Sequence, residues 1–438
     1  MFLSITNMCY AIPGKVAELF DNKATIDYFG EKRTVLNEFS LNIGDFVYAQ
    51  AGVVIQKIET DIATRILESW KEDFMKLKKI DEELAVVDDT VVKDKKILEI
   101  LKKSDASPIN KEDALELLKI RDNDEISLLL QTANKVRQKN LKNSSCIHGI
   151  IEFSNYCKNN CSYCGIRKDN LKLKRYRMSE DEIVNLAIYA AKELNFKAIV
   201  LQSGEDDFYT TDILVRLIKK IKEKSDVLII LSIGERELDD YAKMYDAGCR
   251  GVLIRFETSN PEIYKNIHIN GKSDFEKRIN LIKNLREMGY LIITGFLIGL
   301  PEQTNQIIIE DILFSVNLKP DMYSIGPFIP HSETPLKDSK KIDLESSLKV
   351  IAVLRLLDPE SKILETTALE TLDKLNNGKS GLLSGANSLM INITPMKHKI
   401  FYNIYENKAG VEDELKDSID KTIKLLYSIG RAPTDLGI

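Results

Sequence analysis

Two barrels in series are what this 438-residue sequence predicts: a small all-β barrel, then an α/β barrel of eight parallel strands. Three observations lead there. The chain is about three times a typical domain length, so at least two folding units are expected. Residues 8 to 59 hold short β-rich runs separated by turn signals. From Gly149 onward, apolar runs alternate with amphipathic stretches, as parallel strands each followed by a helix require.

In the first unit the runs are Lys15–Phe20, Lys23–Phe29, Glu31–Leu36, Phe46–Ala49 and Val53–Ile58. Pro13-Gly14, Asp21-Asn22, Gly30, Gly44-Asp45 and Gly52 break them at the spacing of a small barrel. Thr60 is placed to cap a helix running through Ile62, Ile66 and Trp70. This unit is expected over 1–80, a charged linker over 81–104, and the large unit over 105–438. A helical stretch from Ser107 to Leu141 opens the large unit, with Leu115, Leu118 and Leu128 to Leu130 as core candidates. Eight apolar runs then begin near Gly149, Lys197, Asp226, Gly251, Tyr290, Asp321, Lys362 and Ser388. Ser179 and Glu182 read as a capping box, before Ile183, Leu186, Ala187, Ala190, Ala191 and Leu194 at helical spacing. The last helix places Leu415, Ile419, Ile423 and Leu426 on one face and stops at Gly430. An open doubly wound sheet would use the same alternation, but the strand count favours closure.

Composition excludes several classes of function. With 44% hydrophobic and 29% charged residues the chain can bury a sizeable core, which excludes disorder and fibrous designs. A net charge of -5, from 62 basic and 67 acidic residues, argues against a nucleic-acid surface as the main feature. No apolar run reaches membrane-spanning length, and Met1 to Pro13 lacks the cationic start of a secretory signal. A cytoplasmic location is expected, with no membrane and no nucleic acid among the partners.

Of six cysteines, Cys9, Cys146 and Cys249 are scattered, whereas Cys157, Cys161 and Cys164 lie within eight residues. Clustered thiols in a reducing compartment favour metal ligation over disulfides. The trio follows the first strand of the large barrel, on the face where catalytic groups gather. Three thiolates suit a zinc knuckle completed by a fourth ligand from elsewhere, or an iron–sulfur cubane with one open iron.

The Cys157-Lys-Asn-Asn-Cys161-Ser-Tyr-Cys164 spacing, with an aromatic before the third cysteine, resembles the signature of radical S-adenosylmethionine (radical SAM) enzymes. That resemblance implies a (β/α)8 TIM barrel of radical SAM type. It also implies a 4Fe-4S cluster on Cys157, Cys161 and Cys164, whose fourth iron is chelated by SAM and whose electron yields a 5′-deoxyadenosyl radical.

Further motifs narrow the likeness. Ile151 to Asn155, Lys174 to Met178, Val200 to Asp206, Arg255 to Thr258, Gly299 to Pro301, Gly326 to His331, Thr366 to Ala368 and Gly385 to Asn387 resemble the FeFe-hydrogenase maturase family HydE over residues 105–438. The resemblance implies that Tyr163, Ser203, Gly204, Glu205, Glu257 and Arg278 meet SAM, an arginine offering a carboxylate a bidentate clamp. It implies that Arg255, Thr366, Thr367, Tyr402 and Tyr405 surround the substrate. Read on their own, Arg255 and Arg278 fit structural ion pairs and the tyrosines fit core packing equally well. His148 stands where the family commonly has an arginine at the cavity entrance, Phe256 where it often has histidine, and Glu370 where its motif ends in glycine.

Met8-Cys-Tyr-Ala-Ile-Pro-Gly-Lys-Val16, Gly44-Asp45, Gly52 and Ile55-Gln56 resemble the hydrogenase chaperone family HypC/HupF over residues 8–75, which implies an OB-like barrel. In that family a cysteine behind the initiator methionine holds an iron bearing carbonyl and cyanide, with a histidine nearby. Cys9 is therefore an iron-carrier candidate, exposed as the N-terminal residue if translation starts at Met8; Gln50 occupies the histidine position. A barrel kept only for docking is the alternative.

Together the resemblances imply a radical SAM maturase that builds the diiron subcluster of FeFe-hydrogenase from a cysteine-bound iron carbonyl/cyanide precursor. A small-molecule or organometallic iron substrate, a reductant protein and hydrogenase-maturation proteins would be its partners, with the small barrel delivering or receiving the iron unit at the barrel mouth. A methylornithine-synthase-like mutase and a non-catalytic assembly scaffold are the competing functions.

Overall fold

The computed structural model describes residues 11–90, 92–268 and 274–434. Strands β1 (Gly14–Phe20), β2 (Lys23–Tyr28), β3 (Glu31–Leu36), β4 (Phe46–Gln50) and β5 (Val53–Ile58) close into a barrel in the order β1-β2-β3-β5-β4. Strand alternation sends Val16, Ala24, Ile26, Tyr28, Val35, Val47, Ala49 and Val54 into its core. Gly14 is required at closure, since a Cβ there would meet the Ile26 side chain at 2.2 Å.

Helix α1 (Thr60–Leu84) follows. Thr60 is already inside its first turn; Glu59 is the N-cap and makes no side-chain capping bond, so the expected cap is displaced by one residue. The segment expected as a linker holds the end of α1 and all of α2 (Lys95–Ser104), which Asp94 caps by accepting from the Lys96 and Ile97 amides. Ile97, Ile100 and Leu101 join the core of the large unit, together with residues of α3 (Lys111–Lys119) and α4 (Asn123–Leu141).

The large unit contains β6 (Cys146–Ser154), β7 (Ala198–Ser203), β8 (Leu228–Ser232), β9 (Gly251–Leu253), β10 (Leu291–Thr294), β11 (Leu297–Ile298), β12 (Met322–Tyr323), β13 (Gly326–Pro327), β14 (Leu364–Glu365) and β15 (Ser388–Asn392). Eight of them form a parallel sheet in the order β12-β10-β9-β8-β7-β6-β15-β14. A parallel bridge between Tyr323 and Ile363 joins its two edges and completes the ring. Each of the eight apolar runs is one of these strands, and β11 pairs with β13 as a short extension toward the mouth. The pleat divides each strand between two environments. Ile147, Ile151, Phe153, Ile199, Leu201, Ile229 and Leu231 face the helical shell. Ile150, Val200, Ile230, Ile293 and Leu364 fill the lumen.

The small barrel closes the floor of the large one. Its Tyr48, Ala51, Val53 and Ile55 share a core with Ala198, Leu228, Leu291, Met322 and Leu364, each the first residue of its strand. Gln50 reaches the start of β6, and the Lys197 ammonium lies 4.2 Å from the Tyr48 ring centroid. The expected delivery at the mouth is thereby overturned. An apolar outer face of the small barrel matches the strand beginnings, not the polar strand ends.

A buried ionic knot ties the α1 end, α4 and the C-terminal segment together. Asp81 accepts from Arg137 at 2.7 and 2.8 Å and from Arg431 at 3.0 Å. Asn134 takes one further bond from each arginine.

Candidate active site at the barrel mouth

Strand β6 ends at Ser154, and the chain turns into the loop carrying Cys157, Cys161 and Cys164. Ser154 donates to Asp206 at 2.7 Å, and Arg177 grips the same carboxylate at 2.7 and 2.9 Å. The Arg177 guanidinium stacks 3.7 Å over the Tyr156 ring, directly before Cys157. Asn155 donates to the carbonyls of Lys174 and Phe401, and Arg175 donates to Ile166 O at 2.8 Å and to Arg167 O at 2.5 Å. The Lys174-to-Met178 motif is thus a brace that holds the cysteine loop from beneath. Gly204 sets the loop's distance from β7: a Cβ there would lie 2.3 Å from Tyr156 O and 2.8 Å from the Cys157 Cβ.

One cavity of ≈ 330 Å³ lies above the lumen. Cys157, Cys161, Cys164 and Tyr163 line it, together with Ser203, Gly204, Glu205, Glu257, Arg278, Arg255, Thr366, Thr367, Tyr402 and Tyr405. The cluster, SAM and substrate candidates singled out from the large unit's sequence therefore meet in one place. Glu257 lies beyond the regular end of β9, with a φ of 67°. That left-handed backbone is unusual for a glutamate and marks stored strain at the site. Tyr163 donates to Glu257 Oε1 at 3.4 Å, and Arg255 Nη2 lies 3.2 Å from Glu257 Oε2. Arg278, on the helix Phe275–Glu287, donates through Nε to Glu235 at 2.6 Å. Both arginines thus hold an internal carboxylate while lining the cavity. Burial pushes the Glu205 carboxyl up, and its Oε1 accepts from the Glu235 amide at 3.1 Å.

Several lining groups carry no local sequence signal. Glu152, at the inward parity of β6, is paired with Lys408 and accepts from Asn392 at 2.9 Å. Lys408 also sits 5.0 Å from the Tyr402 ring centroid. Only the alternation of β6 could have flagged Glu152; Lys408 lies in an irregular loop. Glu365 ends β14 buried with Oε1 unpartnered, and burial pushes its carboxyl well above the usual carboxylate range. His148 does not line the cavity. As the third residue of β6 it lies near the floor, which overturns its expected place at the entrance.

The donor set can be tested against a cluster. None of the three cysteines is in a disulfide. Burial, with Cys157 second, pushes the Cys161 thiol up to about 12. Among the described residues no three His, Cys, Asp or Glu side chains are grouped to hold a single metal ion. Three soft donors spread around one cavity fit an inorganic cluster bound iron by iron better than one closed zinc site.

Comparison with known proteins agrees. The radical SAM superfamily pattern matches residues 151–314, the HupF/HypC family pattern residues 8–70, and the Biotin and Thiamin Synthesis associated domain residues 324–430. The [FeFe] hydrogenase maturase subunit HydE of Thermotoga maritima is 40% identical over 315 residues, spanning 72% of this chain and 89% of that one. The chain belongs to the HydE family of radical SAM enzymes. A 3-methylornithine synthase of Methanosarcina acetivorans is 30% identical over 319 residues, spanning 72% and 87% of the two chains. Among solved structures, methylornithine synthase superposes with a TM-score of 0.68 at 24% identity, over 77% of this chain and 98% of that one. The FeFe-hydrogenase maturase HydG of Carboxydothermus hydrogenoformans gives 0.64 at 21% identity, over 82% and 84%. These two likenesses show the fold. This HydE-family chain differs from a plain barrel in its HupF/HypC domain, whose Cys9 lies outside the described residues. The family implies a 4Fe-4S cluster and SAM, and the donor set fits both. No helix of the described residues is long and apolar enough to cross a membrane.

Proposed function

We propose that this HydE-family enzyme assembles the diiron subcluster of FeFe-hydrogenase, acting on a cysteine-bound iron carbonyl/cyanide precursor. The convergence of the cluster, SAM and substrate candidates on a single cavity supports the reading, together with the 40% identity to a protein named as such a maturase. Cys157, Cys161 and Cys164 would hold the cluster, and Ser203, Gly204, Glu205, Glu257, Arg278 and Tyr163 would hold SAM. When bound, these groups supply reductive cleavage of SAM to a 5′-deoxyadenosyl radical. The protein's own work is positioning and exclusion of water. Gly204 lets its backbone approach closely, and Arg278 would offer guanidinium donors to the SAM carboxylate while Glu235 fixes its plane. Deeper in the cavity, Arg255, Thr366, Thr367, Tyr402 and Tyr405 would orient the substrate, with the Glu152–Lys408 pair behind Tyr402.

A reductant protein and other maturation proteins would be partners, in the cytoplasm. Cys9 remains a candidate iron ligand, and mass spectrometry of the native N-terminus would show whether translation starts at Met8. Anaerobic maturation of apo-hydrogenase by the holoprotein tests the main reading. Activity is expected from the wild type and none from a chain lacking the three cluster cysteines; full activity from that variant would overturn it. The methylornithine-synthase-like alternative is favoured by the 30% relative, and it predicts consumption of lysine instead. A scaffold would yield no 5′-deoxyadenosine with SAM and dithionite.

A further inference from the structure

A second group of chemistry-bearing side chains lies at the opposite end of the lumen, where the two barrels meet. Cys146 and His148 share the inward parity of β6 with Ile150 and Glu152. They lie below the apolar layer of Ile150, Val200 and Ile230, and neither lines the mouth cavity. Cys146 Sγ is 3.6 Å from His148 Nε2. Gln50 reaches across from β4 of the small barrel, donating to Cys146 Sγ at 2.8 Å and to Ile147 O at 3.1 Å. His148 is fully buried.

We propose that Cys146 and His148 form a second metal-binding site, at the seam of the two barrels, for a borderline-soft divalent ion such as zinc or ferrous iron. A tetrahedral ion with a metal–sulfur bond of ~2.3 Å and a metal–nitrogen bond of ~2.0 Å sets those two ligands about 3.5 Å apart. The Cys146–His148 separation matches that spacing. The Gln50 amide donates to the sulfur as outer partners of metal-bound thiolates do. Among the described residues no third Cys, His, Asp or Glu completes the set. The remaining positions belong to small exogenous ligands or to the Gln50 amide oxygen after the amide turns over. The site is separate from the cluster, and its test does not depend on maturase activity.

The probe is Co²⁺, titrated anaerobically into protein whose Cys157, Cys161 and Cys164 are already occupied by a reconstituted cluster. The expected result is about one equivalent bound with thiolate-to-cobalt charge-transfer absorption. Cys146→Ser should abolish that absorption, and His148→Asn should weaken binding at least ~10-fold, with the cluster's electron paramagnetic resonance signal unchanged in both. A wild type that takes up no Co²⁺, or a Cys146→Ser protein that binds it equally well, overturns the proposal and leaves a plain thiol–imidazole hydrogen bond. Should either variant fail to fold, anomalous diffraction from Co²⁺-soaked wild-type crystals decides. A peak between Cys146 and His148 is expected; a peak elsewhere only, or none, overturns the site.

Discussion

Gly204 leaves the cysteine loop no slack, because the missing Cβ is what lets β7 and Tyr156 approach. Gly204→Ala should push Cys157 out of place at a cost of about 1–3 kcal/mol, and anaerobic reconstitution should then recover less iron per chain than the wild type. Cys161→Ser should lose the cluster altogether, since a hard hydroxyl replaces a soft thiolate; iron analysis and visible absorption measure it. The cluster cysteines were legible because their chemistry is local, three thiols within eight residues. The Glu152–Lys408 pair was not, because its members are 256 residues apart and only the closed ring brings them together. Thr60 illustrates a smaller failure. Its side chain has the right chemistry for a cap, but the backbone turns helical one residue too early to use it.

At the scale of elements, the capping box of the helix Glu180–Lys192 is present as read, with Ser179 and Glu182 bonded reciprocally. Glu182 also binds Lys397, and that bond, with the Ser179 amide next, holds its carboxyl at about 2. A carboxyl depressed in the folded state stabilises the protein above the unfolded value of ~4.3 and loses that contribution as pH falls through the folded value. Glu182→Gln should therefore flatten the fall in stability between roughly pH 4.3 and pH 2, as followed by urea denaturation across that window. Gly430 ends the last helix with φ at 72°, and a Cβ there would lie 2.3 Å from Asp81 N. Gly430→Ala should cost about 1–3 kcal/mol, read from the denaturation midpoint. The eight strands were readable because each is an apolar run between turn signals. The helix Lys95–Ser104 was hidden among charges, and only its contact with the large core shows its apolar stripe.

For the whole molecule, the Asp81 knot joins segments that are 56 and 350 residues apart. Asp81→Asn would leave two buried arginines without their counter-charge, and a loss of about 3–5 kcal/mol is expected in chemical denaturation. Between the barrels the seam has an apolar centre, with polar contacts from Gln50 and Arg33 and an Arg250–Glu38 ion pair around it. Ile55→Asp should destabilise on the order of several kcal/mol, visible as separated unfolding transitions or aggregation. The amino-acid sequence by itself determined which segments become strands, which thiols cluster, and which families the two units resemble, because spacing and periodicity act over a few residues. The tertiary structure alone decided that the small barrel seals the floor and that Gln50 meets Cys146 and His148. It also decided that Glu152 finds Lys408. Those pairings depend on which apolar faces are left uncovered once the ring closes, and no local pattern encodes that complementarity.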